Sequence, residues 1–357
     1  MTTVRLLADD LTGALDTMAE FAAAAGPLHA FWHGCAPGTL PASAAVDTGT
    51  RELDENEARS RVAALAPMLA AGSIAFKKVD SLIRGHTLAE LRAVAGFDTC
   101  VLAPAFPAQG RITAGGQQYA QAAGEWRAVG PNLVQALGAR SGTPGMAPGP
   151  GVTVFDARSD AELDRVAATA GEGRVLWCGT AGLAAALGRR LVGRDAACSG
   201  ELPRPVLGLF GSDQDATFAQ LRACAPHWLH LGEAAAHDIP ARLRDGLALV
   251  SIDLPPGLPR DGAAERIGEA LHGLARAVPK PGTLLVAGGE TLRGLCLALD
   301  ATSLELQGRI LPGLPRAVLR GGAWDGVTVV SKSGAFGPPT LLRDLLARNG
   351  FFPERTA

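Results

Sequence analysis

The sequence predicts an α/β protein: two α/β domains, each built around a mostly parallel sheet. Three observations carry that prediction. Short aliphatic or β-branched runs alternate with Ala/Leu-rich helical stretches, the rhythm of βαβ units. The 357 residues amount to two domains of ordinary size. Hydrophobic residues make up 47% and charged residues 19%, enough apolar surface for sizeable cores and too much for a disordered chain.

In order, strands are expected at residues 4–8, 73–77, 99–103, 152–155 and 175–178, then at 206–210, 248–252, 283–287 and 327–331. Helical patterns fall at 55–69, 160–170, 181–191, 263–277 and 291–299. Ser159 and Glu162 form an S-x-x-E capping box at the front of one of them. Two segments read as linkers, 141–151 (SGTPGMAPGPG) and 199–205 (SGELPRP). Composition favours the first, yet the strand–helix rhythm continues through 152–198, so it reads equally as a surface loop. No internal repeat appears. In parallel sheets of this kind, ligands gather at the carboxyl ends of strands, which directs the search.

A net charge of −2 gives no footing for broad nucleic-acid binding, which needs a basic patch. No run of 18 uncharged apolar residues suggests a membrane span, and Asp9 and Asp10 interrupt any signal-like apolar stretch. The six cysteines are scattered without C-x-x-C spacing, so a zinc site is not expected and reduced core thiols are. A cytoplasmic protein is the expectation. Lysine is scarce: only Lys77, Lys78, Lys280 and Lys332 occur among 33 basic residues, and two of them are adjacent.

Polar clusters follow several expected strands. Ala8-Asp9-Asp10-Leu11-Thr12-Gly13-Ala14 places two carboxylates at a strand–helix junction, suited to a polyol hydroxyl, a cation or a proton. Local pattern reads it equally as an Asp N-cap with a Gly turn. It is not a phosphatase D-x-D-x-T of the haloacid-dehalogenase type, because Ala8 stands where the nucleophile would be. The run from Lys77 to His86 packs Lys78, Asp80, Ser81 and Arg84 together, suited to a hydroxy-acid anion rather than merely to a solvated turn. His86 alone reads as structural. Asp47-Thr48-Gly49-Thr50-Arg51 and Pro104–Thr113, with Arg111, supply further Asp and Arg.

The second half offers glycines with hydroxyls instead. Gly211-Ser212, Gly288-Gly289-Glu290-Thr291 and the run Ser331-Lys332-Ser333-Gly334-Ala335-Phe336-Gly337 each follow an expected strand. Exposed N–H groups and the helix dipole at such junctions favour phosphate, so a nucleotide or phosphate site is expected. Walker A, G-x-G-x-x-G, H-R-D, H-E-x-x-H and G-x-S-x-G strings are all lacking, which disfavours the commonest nucleotide, dinucleotide, zinc-protease and hydrolase mechanisms.

Together ADDLTGALD, DTGTR, KKVDSLIRG, PAFPAQGRIT, GTAGLAAAL, GSDQDAT, AGGET and SKSGAFG resemble the four-carbon acid sugar kinase family, in order from residue 8 to residue 337. The resemblance implies an acid-sugar-binding domain over 1–200 and a nucleotide-binding domain over 201–357, with the active site in the interdomain cleft. It implies ATP as phosphoryl donor, Mg²⁺ carried with it, and the 4-hydroxyl of threonate, erythronate or 3-oxo-tetronate as acceptor. By position, Asp10, Arg51, Lys78, Val79, Asp80 and Ser81 correspond to substrate contacts, and the clusters themselves add Asp9, Arg84 and Arg111. Ser212, Gly288, Gly289, Glu290, Thr291 and Gly334 correspond to nucleotide contacts, and the last glycine run adds Lys332 and Ser333. Asp80 or Asp10 is the expected base, with Lys78 neutralising charge. The chain is shorter than typical members, Gly-Ser-Asp-Gln stands for Gly-Ser-x-Ser, and Glu290 stands where Asp is common. A non-catalytic sugar-acid-binding protein, or a phosphatase or isomerase of phosphorylated sugar acids, remains an alternative. The expected partners are small molecules, with neither nucleic acid nor membrane, and a homodimer is left open.

Overall fold

A computed structural model describes residues 2–34, 40–122, 124–169, 171–211, 214–231, 238–252 and 260–352, with side chains from 266 onward in the last stretch. Cys35, Ser212 and Asp213 lie outside the described residues. The chain divides into two compact units, one of Met1–Ala197 with Leu306–Pro312, the other of Cys198–Glu305 with Gly313–Ala357.

The first unit runs β1 (Val4–Ala8), α1 (Leu11–Ala19), β2 (Leu28–Phe31), β3 (Ser43–Asp47), α2 (Glu55–Leu65), β4 (Ile74–Lys78), α3 (Thr87–Ala93) and β5 (Thr99–Ala103). It continues through β6 (Arg111–Ala114), β7 (Gln117–Ala122), β8 (Glu125–Val129), α4 (Leu133–Leu137), β9 (Arg140–Gly142), β10 (Gly151–Phe155), α5 (Asp160–Ala168), β11 (Val175–Gly179) and α6 (Ala181–Val192). Its main sheet is parallel, in the order β2-β3-β1-β4-β11-β5-β10-β9. β1, β3, β4 and β5 are buried along their whole length. Sheets covered on both faces need such unbroken apolar runs, which is why β1, β4 and β5 are legible in the sequence, whereas the short, Ala-rich β3 was not among the expected strands.

β6, β7 and β8 form a separate antiparallel sheet where no element was expected. β8 is almost wholly exposed and β7 carries three glutamines and alanines, so neither shows an apolar run. Geometry at the turn supplies what hydrophobicity does not. Gly115 and Gly116 have φ of +60° and +72°, and the Asp156 carboxylate accepts both their N–H groups at 2.6 and 2.9 Å. Residues 143–150 join β9 to β10 within this unit, so the richest Gly/Pro segment is a loop and not a linker. The capping box forms: Ser159 accepts from the Glu162 N–H, and the Glu162 carboxylate accepts from the Arg158 N–H.

The second unit holds β12 (Val206–Phe210), α7 (Asp215–Arg222), β13 (Trp228–Leu231), α8 (Ile239–Arg244), β14 (Leu247–Ile252), α9 (Arg260–Ala277), β15 (Thr283–Ala287) and α10 (Gly289–Ala298). β16 (Ser303–Leu311), β17 (Leu314–Arg320), β18 (Thr328–Lys332) and α11 (Leu341–Ala347) follow. β13, β14, β12, β15 and β18 are parallel neighbours in that order, with β17 antiparallel on β18. The far end of β16 belongs to the first unit, where Arg309 reaches the buried Glu20 carboxylate at 2.9 Å. Among the described residues no helix is long and apolar enough to cross a membrane.

Candidate active site

Sheet order explains how distant motifs meet. β1 lies between β3 and β4, with Ala8 beside Asp47 and Leu7 beside Lys77. The segments that follow these three strands therefore open at one edge of the sheet. Arg51, after β3, sits among the carboxylates that follow the other two. Its Nε donates to Asp9 Oδ2 at 2.7 Å and its Nη2 to Asp10 Oδ1 at 2.8 Å, with Asp80 Oδ1 at 3.5 Å.

Each acidic side chain here has more than one task. Asp10 caps α1, accepting from the Gly13 N–H at 3.1 Å and from the Thr12 hydroxyl at 2.6 Å, as the helix-cap reading expects, while it also holds Arg51. Burial alone would raise Asp9, but the Arg51 guanidinium, with Lys78 behind it, holds its carboxyl well below the usual carboxylate range. Lys78 Nζ stands 3.8 Å from Asp9 Oδ1, too far for a hydrogen bond. Asp80 shows the same balance: burial raises it, while hydrogen bonds from Arg84 and the charges of Arg51 and Lys78 hold it low.

Strand alternation separates the two adjacent lysines. Lys77 is buried against the Glu90 carboxylate of α3 at 2.6 Å, and Glu90 also accepts from Thr50. Lys78 points toward the start of α1, where a Cβ on Gly13 would lie 2.7 Å from Nζ. Val79 turns into the core and its N–H donates to the Gly179 carbonyl, so its side chain contributes packing rather than ligand contact. Asp80 shapes the next loop: Oδ2 accepts from the Leu82 and Arg84 N–H groups and Arg84 Nε, and Oδ1 from Arg84 Nη2. Within that loop Ile83 has φ +56°, a left-handed conformation costly for a β-branched residue.

Gln118 was not anticipated. Buried on β7, its amide donates to the carbonyls of Ser81 and Pro104 at 3.0 Å each, tying two loops of the site together. Arg111 is half-buried, and its environment is shaped by burial, by Asp80 and by Arg84, which places it by the same cluster. Its Nε is buried and has no hydrogen-bond partner among the described residues. His86 reaches the Leu53 carbonyl and is structural.

In the second unit, β12, β15 and β18 are adjacent and parallel, so the three glycine loops lie side by side. A Cβ on Gly211 would lie 2.6 Å from the buried Thr291 hydroxyl, and Gly288, at φ +100°, donates its N–H to the Lys332 carbonyl at 3.0 Å. Neither α7 nor α10 has a side-chain cap, leaving backbone donors at both starts. Glu290 is exposed and paired with Arg293. Lys332 departs from the expected direct contact. Its ammonium is buried and donates to Thr217 Oγ1 at 3.1 Å and to the carbonyls of Ser333, Gly334 and Phe336 at 3.0, 3.2 and 3.2 Å. It fastens the loop from within. Among the described residues no cluster of three His, Cys, Asp or Glu side chains could hold a metal ion.

Residues 4–132 match the family described as Sugar-binding N-terminal domain, and 240–342 match Nucleotide-binding C-terminal domain. The chain is 31% identical to a D-threonate kinase of Bordetella bronchiseptica over 95% of both chains. It is 28% identical to a D-threonate kinase of Cupriavidus necator, covering 94% of this chain and 95% of that one. A 3-oxo-tetronate kinase of Pseudomonas fluorescens is 33% identical over 53% of this chain and 50% of its own. Solved structures from Salmonella typhimurium LT2 (TM-score 0.72, 18% identity, 96% and 98% covered) and Haemophilus influenzae (0.68, 19%, 98% and 100%) share the α/β fold. With such full-length similarity on both halves, this chain belongs to the four-carbon acid sugar kinase family.

Proposed function

We propose that this family member transfers the γ-phosphoryl group of ATP to the 4-hydroxyl of a four-carbon acid sugar, with D-threonate the first candidate. Both relatives matched along nearly their whole length are D-threonate kinases. The observation that carries the reading is the Arg51 cluster, where three carboxylates and Lys78 gather at one sheet edge. Such an edge suits a small polyhydroxy anion: cations hold the carboxylate and ionised Asp side chains accept from hydroxyls. Arg84 and Arg111 supply the outer cations, and Ser81 a hydroxyl. One carboxylate of the cluster orients the acceptor hydroxyl.

The glycine loops at 211, 288–291 and 333–334 fit the phosphates of the nucleotide, the first two through N–H groups at the starts of α7 and α10. Ser212 is proposed with them from its position in the sequence. Lys332 contributes by holding the third loop in shape. Mg²⁺ arriving with ATP neutralises charge on the phosphates. Transfer of this kind depends on positioning and charge, with no covalent enzyme intermediate. ATP and a small sugar acid as substrates fit a cytoplasmic enzyme. The kinase names of the relatives favour this reading over the binding-protein, phosphatase and isomerase alternatives.

The test is an ADP-release screen over D-threonate, D-erythronate, L-threonate, 3-oxo-tetronates and longer aldonates. Sugar-acid-dependent ADP release, strongest for D-threonate, is the expected result. Flat traces across the panel from folded, ATP-binding protein would sink the reading, and phosphate release without ATP would favour a phosphatase.

A further inference from the structure

Counting hydrogen bonds at the Arg51 cluster separates its three carboxylates. Asp80 is saturated, with Oδ2 accepting three N–H groups and Oδ1 held by Arg84 at 2.7 Å. Asp10 is held at both oxygens: Oδ1 accepts from the Gly13 N–H and Arg51, and Oδ2 from the Thr12 hydroxyl, which leaves one acceptor place on Oδ2. Asp9 is different. Oδ2 is held by Arg51 at 2.7 Å, but Oδ1 is buried with no hydrogen-bond partner among the described residues. A buried carboxylate oxygen without a donor is costly, and it persists where a ligand supplies the donor. Lys78 Nζ stands 3.8 Å from it, so that one oxygen placed beside the pair comes within hydrogen-bond reach of both.

We propose that the acceptor hydroxyl of the sugar acid docks beside Asp9 Oδ1 and Lys78 Nζ, bridging the two, so that Asp9, rather than Asp80 or Asp10, receives its proton. The hydroxyl then donates to Asp9 Oδ1 while its oxygen accepts from Lys78. In the transfer, that oxygen forms the new bond to the γ-phosphorus as the β–γ bridging P–O bond breaks. The electron pair of the broken bond leaves on the β-phosphate of ADP. The hydroxyl proton passes to Asp9 and afterwards to solvent, and Lys78 offsets the charge developing on the attacking oxygen. Asp10 and Asp80 act as positioning residues, holding Arg51, the start of α1 and the 80–84 loop. Arg51 in turn keeps Asp9 ionised and fixes its free oxygen.

The inference rests on the kinase reading, so wild-type ADP release with a sugar acid comes first; its absence sinks that reading and leaves Asp9 without a reaction. With an active wild type, Asp9→Asn, Asp10→Asn and Asp80→Asn are compared by kcat, KM, calorimetric sugar-acid affinity and melting temperature. Asp9→Asn is expected to lose at least about 100-fold in kcat while sugar-acid affinity stays within about threefold, the pattern of a lost proton acceptor. Asp80→Asn and Asp10→Asn are expected to show their losses mainly in KM and melting temperature. An Asp9→Asn enzyme within about fivefold of wild-type kcat overturns the assignment. If Asp9→Asn does not fold, Asp9→Glu keeps the charge on Arg51 but displaces the free oxygen. A fall in kcat at constant KM then supports the assignment, and wild-type kcat overturns it.

Discussion

At the carboxyl edge of the first unit one guanidinium, Arg51, is shared among three carboxylates; in the second unit one ammonium, Lys332, is shared among carbonyls and a hydroxyl. The first arrangement leaves charged side chains at the site, with Asp9 Oδ1 still able to accept. The second turns its cation inward, and the glycine loops around it present backbone in place of charged side chains. Charge placed in side chains can discriminate among hydroxyl patterns, because each position makes or loses a specific bond. Backbone donors around glycine suit phosphate, which every nucleoside triphosphate presents alike. The same contrast tells which mutations should touch which substrate.

Arg51→Met should give the largest effect. It leaves Asp9, Asp10 and Asp80 without their shared cation, and breaking such buried pairs typically costs about 3–5 kcal/mol. Chemical denaturation should register that loss, turnover should fall at least about 100-fold, and calorimetry should find ATP binding intact. Lys77→Met sharpens the contrast within one strand. It should cost stability of the same order by stranding Glu90, about 3–5 kcal/mol, while KM for the sugar acid in the folded fraction stays near wild type.

Lys332→Met should act on the other substrate, raising KM for ATP about tenfold with little change for the sugar acid. Its pH behaviour follows from burial, which pushes the Lys332 ammonium down to about 8. Between there and the ordinary lysine range the unfolded chain binds the extra proton, so folding stability rises with pH while the loop loses a donor. KM for ATP should therefore climb as pH rises through about 8 in the wild type and not in Lys332→Met. The smallest effect is expected of Gly13→Ala. A Cβ there meets Asp10 Oδ1 at 2.4 Å and Lys78 Nζ at 2.7 Å, both of them side-chain ends and neither of them backbone. Clearing it takes a shift of about half an ångström or more at Asp10, which should raise KM for the sugar acid about fivefold and leave KM for ATP unchanged, by steady-state kinetics.

Much of this was legible in the chain. The doubly buried strands β1, β4, β5, β12 and β15 announce themselves as apolar runs, and ADDLTG and KKVDSLIRG mark the site. β6 to β8 and the β16–β17 pair were not read, because polar or partly exposed antiparallel strands lack such runs. Glu90 and Gln118 carry no local signal at all: each matters through a partner far along the chain, Lys77 in one case and Ser81 and Pro104 in the other.

The sequence by itself determined the α/β class, the contrast between acidic-basic and glycine-rich halves, and the residues from which a site can be built. Those properties are local, set by composition and by the period of apolar residues. Tertiary structure decided the roles. It sent Lys77 into the core and Lys78 to the edge, committed Asp80 to its own loop, turned Lys332 inward and left Asp9 with an oxygen that has no donor among the described residues. Such decisions depend on which donors face which acceptors across neighbouring strands, and only the completed packing brings those partners within reach.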